Sequence, residues 1–418
     1  MYCGSCLGER GCAGCKKVTG TVEYTGLTDF FAGDESKEES GTGAADRLLL
    51  AADLGTTTLA VVCADGTGKV LASYGAENPQ RRVAADVMGR IDAAIQGDGE
   101  RLMVELREAL VKGFLFVLEK AGIKEKELKE PKGSRQVRIG IAGNTTMQHF
   151  LLGYPVEGLA KAPFTPHSME QRTLSAGELF GECQGFLQLP QPVQEAETVV
   201  FPCFSAFVGG DVAAGAYGLF PLTDERKKAG ACSLLMDFGT NGELLLLANG
   251  KLYGTSAAMG CAFEGGRFAY ASDLFALVAG ALREGAMDET GLLEEPYFSE
   301  GYHGLCQEDV RNFQLAKGAI RGATELLLSR AGVTSEDVTE VFLAGSVGRY
   351  CKTEDLLVTG LLPPDFSEKV RMVGNSCIGG ILRFLRKEEG ELSTGGIMLN
   401  LANEPEFSGL YYRYMSFE

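Results

Sequence analysis

The sequence is short of positive charge. Its 418 residues carry 39 Lys and Arg against 56 Asp and Glu, a net charge of −17. Nucleic-acid proteins need a basic surface, so this balance argues against that class. It argues equally against docking on anionic lipid. Acidity of this kind serves solubility. Long apolar runs are missing too. Stretches such as Leu274–Leu282 fall far short of the roughly 20 residues that span a bilayer. The first residues are polar and cysteine-rich, without the apolar core of a signal peptide. The expectations are therefore no nucleic acid, no membrane and a cytoplasmic location. Histidine is scarce, with three in all. His149 sits in an apolar helical pattern and reads as core; His167 and His303 lie in polar surroundings with no partner motif.

What the chain does contain is a repeated hairpin. Residues 48–62 read as an apolar strand ending at Asp53, a turn Gly55-Thr56-Thr57, and a second β-rich strand. A carboxylate at a strand end beside a Gly-Thr turn suits magnesium and phosphate: the acid holds the hydrated cation, and turn N–H groups cradle oxygens. Alone, Asp-x-Gly-Thr is a weak signal, because ordinary hairpins use the same residues. A second copy strengthens it. Residues 234–246 repeat strand, Asp237-Phe238-Gly239-Thr240-Asn241 and strand, 184 residues further on. A long-spaced repeat points to a duplicated domain, and facing halves would bring both aspartates to one cleft. A third element fits the plan. Val341–Ala344 is a strand followed by Gly345-Ser346-Val347-Gly348, where small residues would let an adenosine approach the backbone.

Of 12 cysteines, eight are scattered singly in apolar contexts and read as reduced core residues. The other four, Cys3, Cys6, Cys12 and Cys15, form two Cys-x-x-Cys pairs five residues apart, with glycines between them. Four thiolates at such spacing signal a metal. Zinc usually has a longer gap between its pairs, so the tight gap favours an iron–sulfur cluster, with zinc as the alternative. Residues 18–46 are small, polar and charged without periodicity, which reads as a flexible linker.

Further along, Lys69–Tyr74 reads as a strand, and 84–95 and 100–121 have helical spacing of apolar positions. Gln136–Gly143 reads as a strand whose helix, capped by Asn144, runs to Leu152. Prolines 155, 163, 166, 190 and 192 break the next segment into loops. Val199–Cys203 reads as a strand and Gly209–Ala216 as a turn, a capping Asp211 and a small-residue helix. Strands are expected at 233–238, 243–248, 252–257, 341–344 and 370–373. Helices are expected at 273–286 and 310–331. The aromatic stretch 401–418 should pack back on the body.

The three motifs, in this order, resemble the acetate and sugar kinase, heat-shock chaperone and actin superfamily (ASKHA). Gly143-Asn144-Thr145-Thr146-Met147-Gln148-His149, the Asn78-Pro79-Gln80 turn before Asp86-Val87-Met88-Gly89-Arg90-Ile91, Phe263-Glu264-Gly265-Gly266 and Gln314-Leu315-Ala316-Lys317 are similar to the reductive activators of corrinoid enzymes. The resemblance covers residues 47 to about 400. It implies an α/β fold with duplicated actin-like (ribonuclease H-like) ATPase halves facing a nucleotide cleft, preceded by the cysteine-rich segment. The expected organisation is residues 1–17 for the metal segment, 18–46 for the linker, 47–230 for the first half and 231–418 for the second. The resemblance further implies ATP and magnesium, with Asp53 and Asp237 holding the ion and Asp211 orienting the attacking water. Gly55, Thr56, Thr57, Gly239, Thr240 and Asn241 would bind phosphates; Glu264, Gly345, Ser346 and Gly348 would line the nucleoside. ATP would drive an electron from the cluster onto a corrinoid protein or corrinoid-dependent methyltransferase, with a separate electron donor. Actin-like halves often pair, so a homodimer is also expected. Two departures stand out. The family usually carries a plant-type ferredoxin domain where this chain has the cysteine cluster, and Ala-Gly-Ala-Phe-Gly where it has Ala344-Gly345-Ser346-Val347-Gly348. A small-molecule kinase, or an ATP-gated scaffold with a zinc knot, are the competing readings.

Overall fold

A computed structural model describes residues 47–125, 128, 136–220, 230–239, 241–260, 268, 271–299, 304–387, 392 and 395–417. The cysteine segment, the linker, Thr240 and Glu264 lie outside the described residues. The described chain forms two compact units.

The first unit takes in residues 47–219 and returns for Asn375–Gly395. Its strands are β1 (Arg47–Leu54), β2 (Thr58–Asp65), β3 (Val70–Glu77), β4 (Gln136–Gly143), β5 (Arg172–Ser175) and β6 (Glu197–Val200), ordered β3-β2-β1-β4-β6-β5. β1 runs antiparallel to β2 and parallel to β4. Central strands covered on both faces need an unbroken apolar run, and Leu48 through Ala52 supply it, all buried. Helices α1 (Val87–Ala93), α2 (Gly99–Lys120), α3 (Thr145–Leu152) and α4 (Gly210–Leu219) surround the sheet. The buried face of α2 is Leu102, Leu106, Leu110, Phe114 and Val117, the i, i+4 stripe the pattern predicts. Its core joins Leu50, Val61, Ile139 and Ile141 from the strands.

The second unit comprises Phe220–Gly374 and Gly396–Glu418 in its described parts. Its strands are β7 (Ser233–Phe238), β8 (Asn241–Ala248), β9 (Lys251–Ala258), β10 (Glu340–Ala344), β11 (Val370–Gly374) and β12 (Ile397–Met398), ordered β11-β10-β7-β8-β9-β12. With one edge strand set aside from each, β5 and β12, the two sheets match: β9-β8-β7-β10-β11 repeats β3-β2-β1-β4-β6. Asp53 and Asp237 hold the same place, next to last in β1 and β7. Helices α5 (Ala271–Arg283), α6 (Gln307–Ala331) and α7 (Gly345–Tyr350) pack on this sheet or follow it, and the aromatic tail forms α8 (Phe407–Arg413). That tail packs back as expected. A Cβ at Gly318 or Gly322 of α6 would lie 2.8 Å from the Tyr411 carbonyl oxygen or 3.1 Å from its nitrogen, so the glycines let the two backbones touch.

The linear division at 230/231 misses one element. The helix Ser376–Lys387 belongs with the first unit. Gly380 meets the carbonyl of Ala214 in α4, and Gly140 of β4 makes room for Ile381, a Cβ there falling 2.3 Å from its Cγ2. Arg138 and Arg383 fasten the far end, donating to the Leu385 and Gly218 carbonyls at 2.8 and 2.7 Å.

Candidate functional site

The turn after β1 is tied down from behind. Asn78 Nδ2 donates to the Gly55 carbonyl (2.9 Å), and the Asn78 N–H to the Thr57 carbonyl (2.9 Å). Arg90 Nη2 donates to the Thr56 carbonyl (2.6 Å), and Asn144 Nδ2 to Thr56 Oγ1 (2.9 Å). Arg90 and Asn78 are 0% exposed. Arg90 is held in turn by Gln80 Oε1 (3.2 Å), Met147 Sδ (3.3 Å) and the Ala84 carbonyl (3.1 Å). Asn144 also caps α3, its Oδ1 accepting from the Met147 N–H at 3.0 Å. Three motifs distant in sequence thus converge on the Gly55-Thr56-Thr57 turn.

The consequence follows from peptide geometry. In a planar trans peptide the carbonyl and the next N–H point in opposite directions. With the Gly55 and Thr56 carbonyls drawn inward, the Thr56 and Thr57 N–H groups are aimed the other way, as an anion cradle requires. Gly55 is needed for this path, since a Cβ there would lie 2.5 Å from the Thr58 carbonyl oxygen. Burial lowers the Arg90 pKa to about 10. The guanidinium therefore stays charged at neutral pH, a fixed cation beneath the turn.

Asp53 closes one side. Burial pushes its carboxyl pKa up, and hydrogen bonds from the Asn375 amide and the Cys377 thiol push back. Asn375 Nδ2 reaches Oδ2 at 2.7 Å. Asp53 is half-buried, and a carboxylate partly withdrawn from water among neutral donors gains from a shared cation. A carboxylate oxygen of this kind suits a magnesium ion. Asp211 lies in the first turn of α4 rather than at its cap, with Oδ1 accepting from the Val212 N–H at 2.9 Å. It shares a neighbourhood with the end of β4: a Cβ at Gly209 would lie 2.5 Å from Asn144 Cα and 2.8 Å from Asp211 Oδ1. Gly210 faces Gln148 Nε2 at 2.0 Å on the same construction. The glycine pair serves close packing of protein on protein here.

The second hairpin is shaped by glycine. Gly345 adopts φ +74°, and a Cβ there would meet the Phe238 carbonyl oxygen at 2.2 Å and Asp237 Oδ1 at 2.9 Å. The adenosine turn predicted at 345–348 is the opening of α7, in contact with the Asp237 carboxylate. Gly348 is fixed likewise: a Cβ there would lie 2.2 Å from the Leu343 carbonyl oxygen. The Gly239 N–H donates to the Asn241 carbonyl at 2.9 Å, and Asn241 opens β8 with an exposed side chain.

Within the first unit, Asp53, Gly55, Thr56, Thr57 and Asp211 gather at the ends of β1 and β4. Within the second, Asp237, Gly239, Asn241, Gly345 and Gly348 gather at the ends of β7 and β10. Sequence reasoning missed the parts played by Asn78, Arg90 and Asn375. Arg90 sits beside Ile91 on the buried side of α1, and a charged residue in that phase is the available signal. His149 is core, as expected: its Nδ1 bonds the Thr145 carbonyl (2.7 Å) and its Nε2 accepts from the His167 N–H (3.0 Å). His167 thus has a partner the sequence did not show. The described scattered cysteines are free thiols, mostly buried. Among the described residues, no group of three or more His, Cys, Asp or Glu could hold a metal, and no helix is long and apolar enough to cross a membrane.

Two family models match the chain. One, described as the RACo middle region, matches residues 48–219; the other, described as the C-terminal domain of RACo, the ASKHA domain, matches 231–279 and 303–417. The corrinoid activation enzyme RamQ of Eubacterium limosum is 26% identical over 435 residues, covering 87% of this chain and 69% of that protein. A solved structure described as a reductive activator for corrinoid, iron-sulfur protein has a TM-score of 0.71 and 23% identity, covering 90% of this chain and 67% of its own. That likeness fixes the fold as α/β, and the ASKHA description comes from the C-terminal family model.

Proposed function

The chain belongs to the RACo family, the reductive activators of corrinoid enzymes, and from that premise we propose that it spends ATP to drive a low-potential electron onto a corrinoid protein. The cobalt of that partner goes from Co(II) to Co(I), gaining one electron. The observation that carries the reading is the duplicated sheet, each copy ending its first strand in the same acidic hairpin.

Asp53 and Asp237 would hold magnesium through water. The Thr56 and Thr57 N–H groups, with Gly55, bind phosphate oxygens over the buried Arg90 charge; Gly239, Thr240 and Asn241 do so from the second hairpin. Gly345, Ser346, Gly348 and Glu264 line the nucleoside. Asp211 orients the attacking water. Cys3, Cys6, Cys12 and Cys15 offer a donor set suited to an iron–sulfur cluster, which when bound supplies the electron; a separate donor refills it. Raising one electron by roughly 300 mV needs about 7 kcal/mol, less than ATP hydrolysis releases in a cell. Hydrolysis loosens the grip on the γ-phosphate, and that change of state is the useful output. The protein acts in the cytoplasm.

The test is anaerobic. Purified chain, a chemical reductant and a Co(II) corrinoid protein are mixed with ATP or a non-hydrolysable analogue, and cobalt oxidation state is followed by absorbance. Co(I) should accumulate with ATP alone. Co(I) at equal rates with both nucleotides, or phosphorylation of a metabolite without any partner protein, contradicts the reading. Metal analysis of the same preparation should find iron and sulfide; zinc alone would remove the electron-transfer role.

A further inference from the structure

The chain enters the first unit for the second time at Asn375, immediately after Gly374, which adopts φ +64°. Asn375 uses both ends of its amide. Its Oδ1 accepts from the Ile378 N–H at 2.8 Å and so caps the Ser376–Lys387 helix, while its Nδ2 donates to Asp53 Oδ2 at 2.7 Å. The cap fixes which way the amide faces, so the N–H is committed to the carboxylate. The helix itself has little room to shift. Gly380 is pressed on the Ala214 carbonyl, Ile381 fills the space over Gly140, and Arg138 and Arg383 tie its last turns. Cys377, the second residue of that helix and 3% exposed, brings a second neutral donor to the same carboxylate.

We infer that Asn375 is a positioning residue for the magnesium nucleotide, orienting the Asp53 carboxylate from a helix clamped for that purpose. The inference rests on the nucleotide reading of the first hairpin. Groups that orient a metal-binding carboxylate or its hydration shell typically govern metal affinity by 10- to 100-fold, on the order seen for outer-shell partners generally. The helix cap and the hold on Asp53 are separable by substitution. Serine caps a helix about as well as asparagine but is too short to span to Asp53, whereas alanine loses both.

The experiment measures binding of a fluorescent ADP to the full-length chain, with magnesium and with EDTA, for wild type, Asn375→Ser and Asn375→Ala, alongside their Tm values. Wild type should bind ADP more tightly with magnesium. Asn375→Ser should keep the EDTA affinity and a near wild-type Tm, yet lose about tenfold of the magnesium enhancement. Asn375→Ala should lose the same enhancement and some Tm as well. Retention of the full magnesium enhancement by Asn375→Ser overturns the inference while leaving the nucleotide reading intact. So does a fall in both affinities in step with Tm, which is the mark of a structural role. A wild-type chain that binds no ADP under either condition removes the nucleotide reading, and the inference with it.

Discussion

The two hairpins share a sequence pattern and a place in their sheets, yet they are held by different means. The first is braced by polar side chains from three other segments, the buried Asn78 and Arg90 and the half-buried Asn144, each bonded to the turn itself. The second is shaped by close backbone approach, with Gly345 against the Phe238 carbonyl and the Asp237 carboxylate. A buried polar network fully satisfied is rigid and specific, so the first turn is a preset cradle. A glycine contact fixes position by excluding side chains and contributes no charge. The duplicated fold therefore supplies one hairpin with a fixed cation behind it and another set by backbone packing. In the proposed reading the braced turn would hold phosphate and the Gly345–Gly348 turn the nucleoside.

The largest expected effect breaks the brace. Arg90→Met removes the donor to the Thr56 carbonyl and strands Gln80 Oε1, and leaving buried acceptors unpaired costs about 3 kcal/mol or more. Thermal unfolding should show that loss, and affinity for ATP should fall with it. Wild-type affinity in a folded Arg90→Met chain would mean the brace is irrelevant to the cradle. On the other side, Gly345→Ala forces a Cβ into the Phe238 carbonyl at a positive φ, at a cost of about 2 kcal/mol. Nucleoside binding should weaken more than binding of inorganic triphosphate; equal loss of both would sink the division of labour. The smallest effect is at Asn144→Asp. It keeps the α3 cap and loses only the amide donor to Thr56 Oγ1, which can turn and donate instead, so stability should change by under about 1 kcal/mol.

Acid and base separate the two units further. His149 is neutral and buried, its pKa lowered mainly by desolvation. The native state then binds fewer protons than the unfolded chain. Stability from this group is full above about pH 6.5 and falls as pH drops toward the lowered native value. Lys317 of α6, buried against Phe417 and bonded to the Ser416 carbonyl, is lowered to about 7 by burial and the neighbouring Arg321 charge. Its contribution is full above about pH 10.4, declines as pH falls to about 7, and is flat below. Thermal scans across pH should show the second slope vanish in Lys317→Met. A slope unchanged in that variant would place its origin elsewhere.

Much of this was legible in the sequence. Apolar runs of strand length gave β1, β4, β7 and β10, and the repeat of Asp-x-Gly-Thr gave the duplication, because both are local patterns. The short edge strands β5 and β12 were not read, having too few residues for any period to register. The brace was unreadable for a different reason. Asn78 and Arg90 lie 23 and 34 residues from the carbonyls they hold, and the helical phase that marks Arg90 as buried beside Ile91 does not name its partner. The Ser376–Lys387 helix posed the same problem. Its amphipathic pattern says that it packs, and only Gly379-Gly380 hints at how closely, but neither says that it packs on the first unit.

The most direct test concerns whether the two carboxylates serve one nucleotide. ATP hydrolysis is measured for Asp53→Asn, Asp237→Asn and the double variant. Each single change should cost on the order of 100-fold. If both act on the same magnesium ion, the double variant should be no slower than the poorer single one. Losses that multiply, or an Asp237→Asn chain with wild-type hydrolysis, would contradict the account.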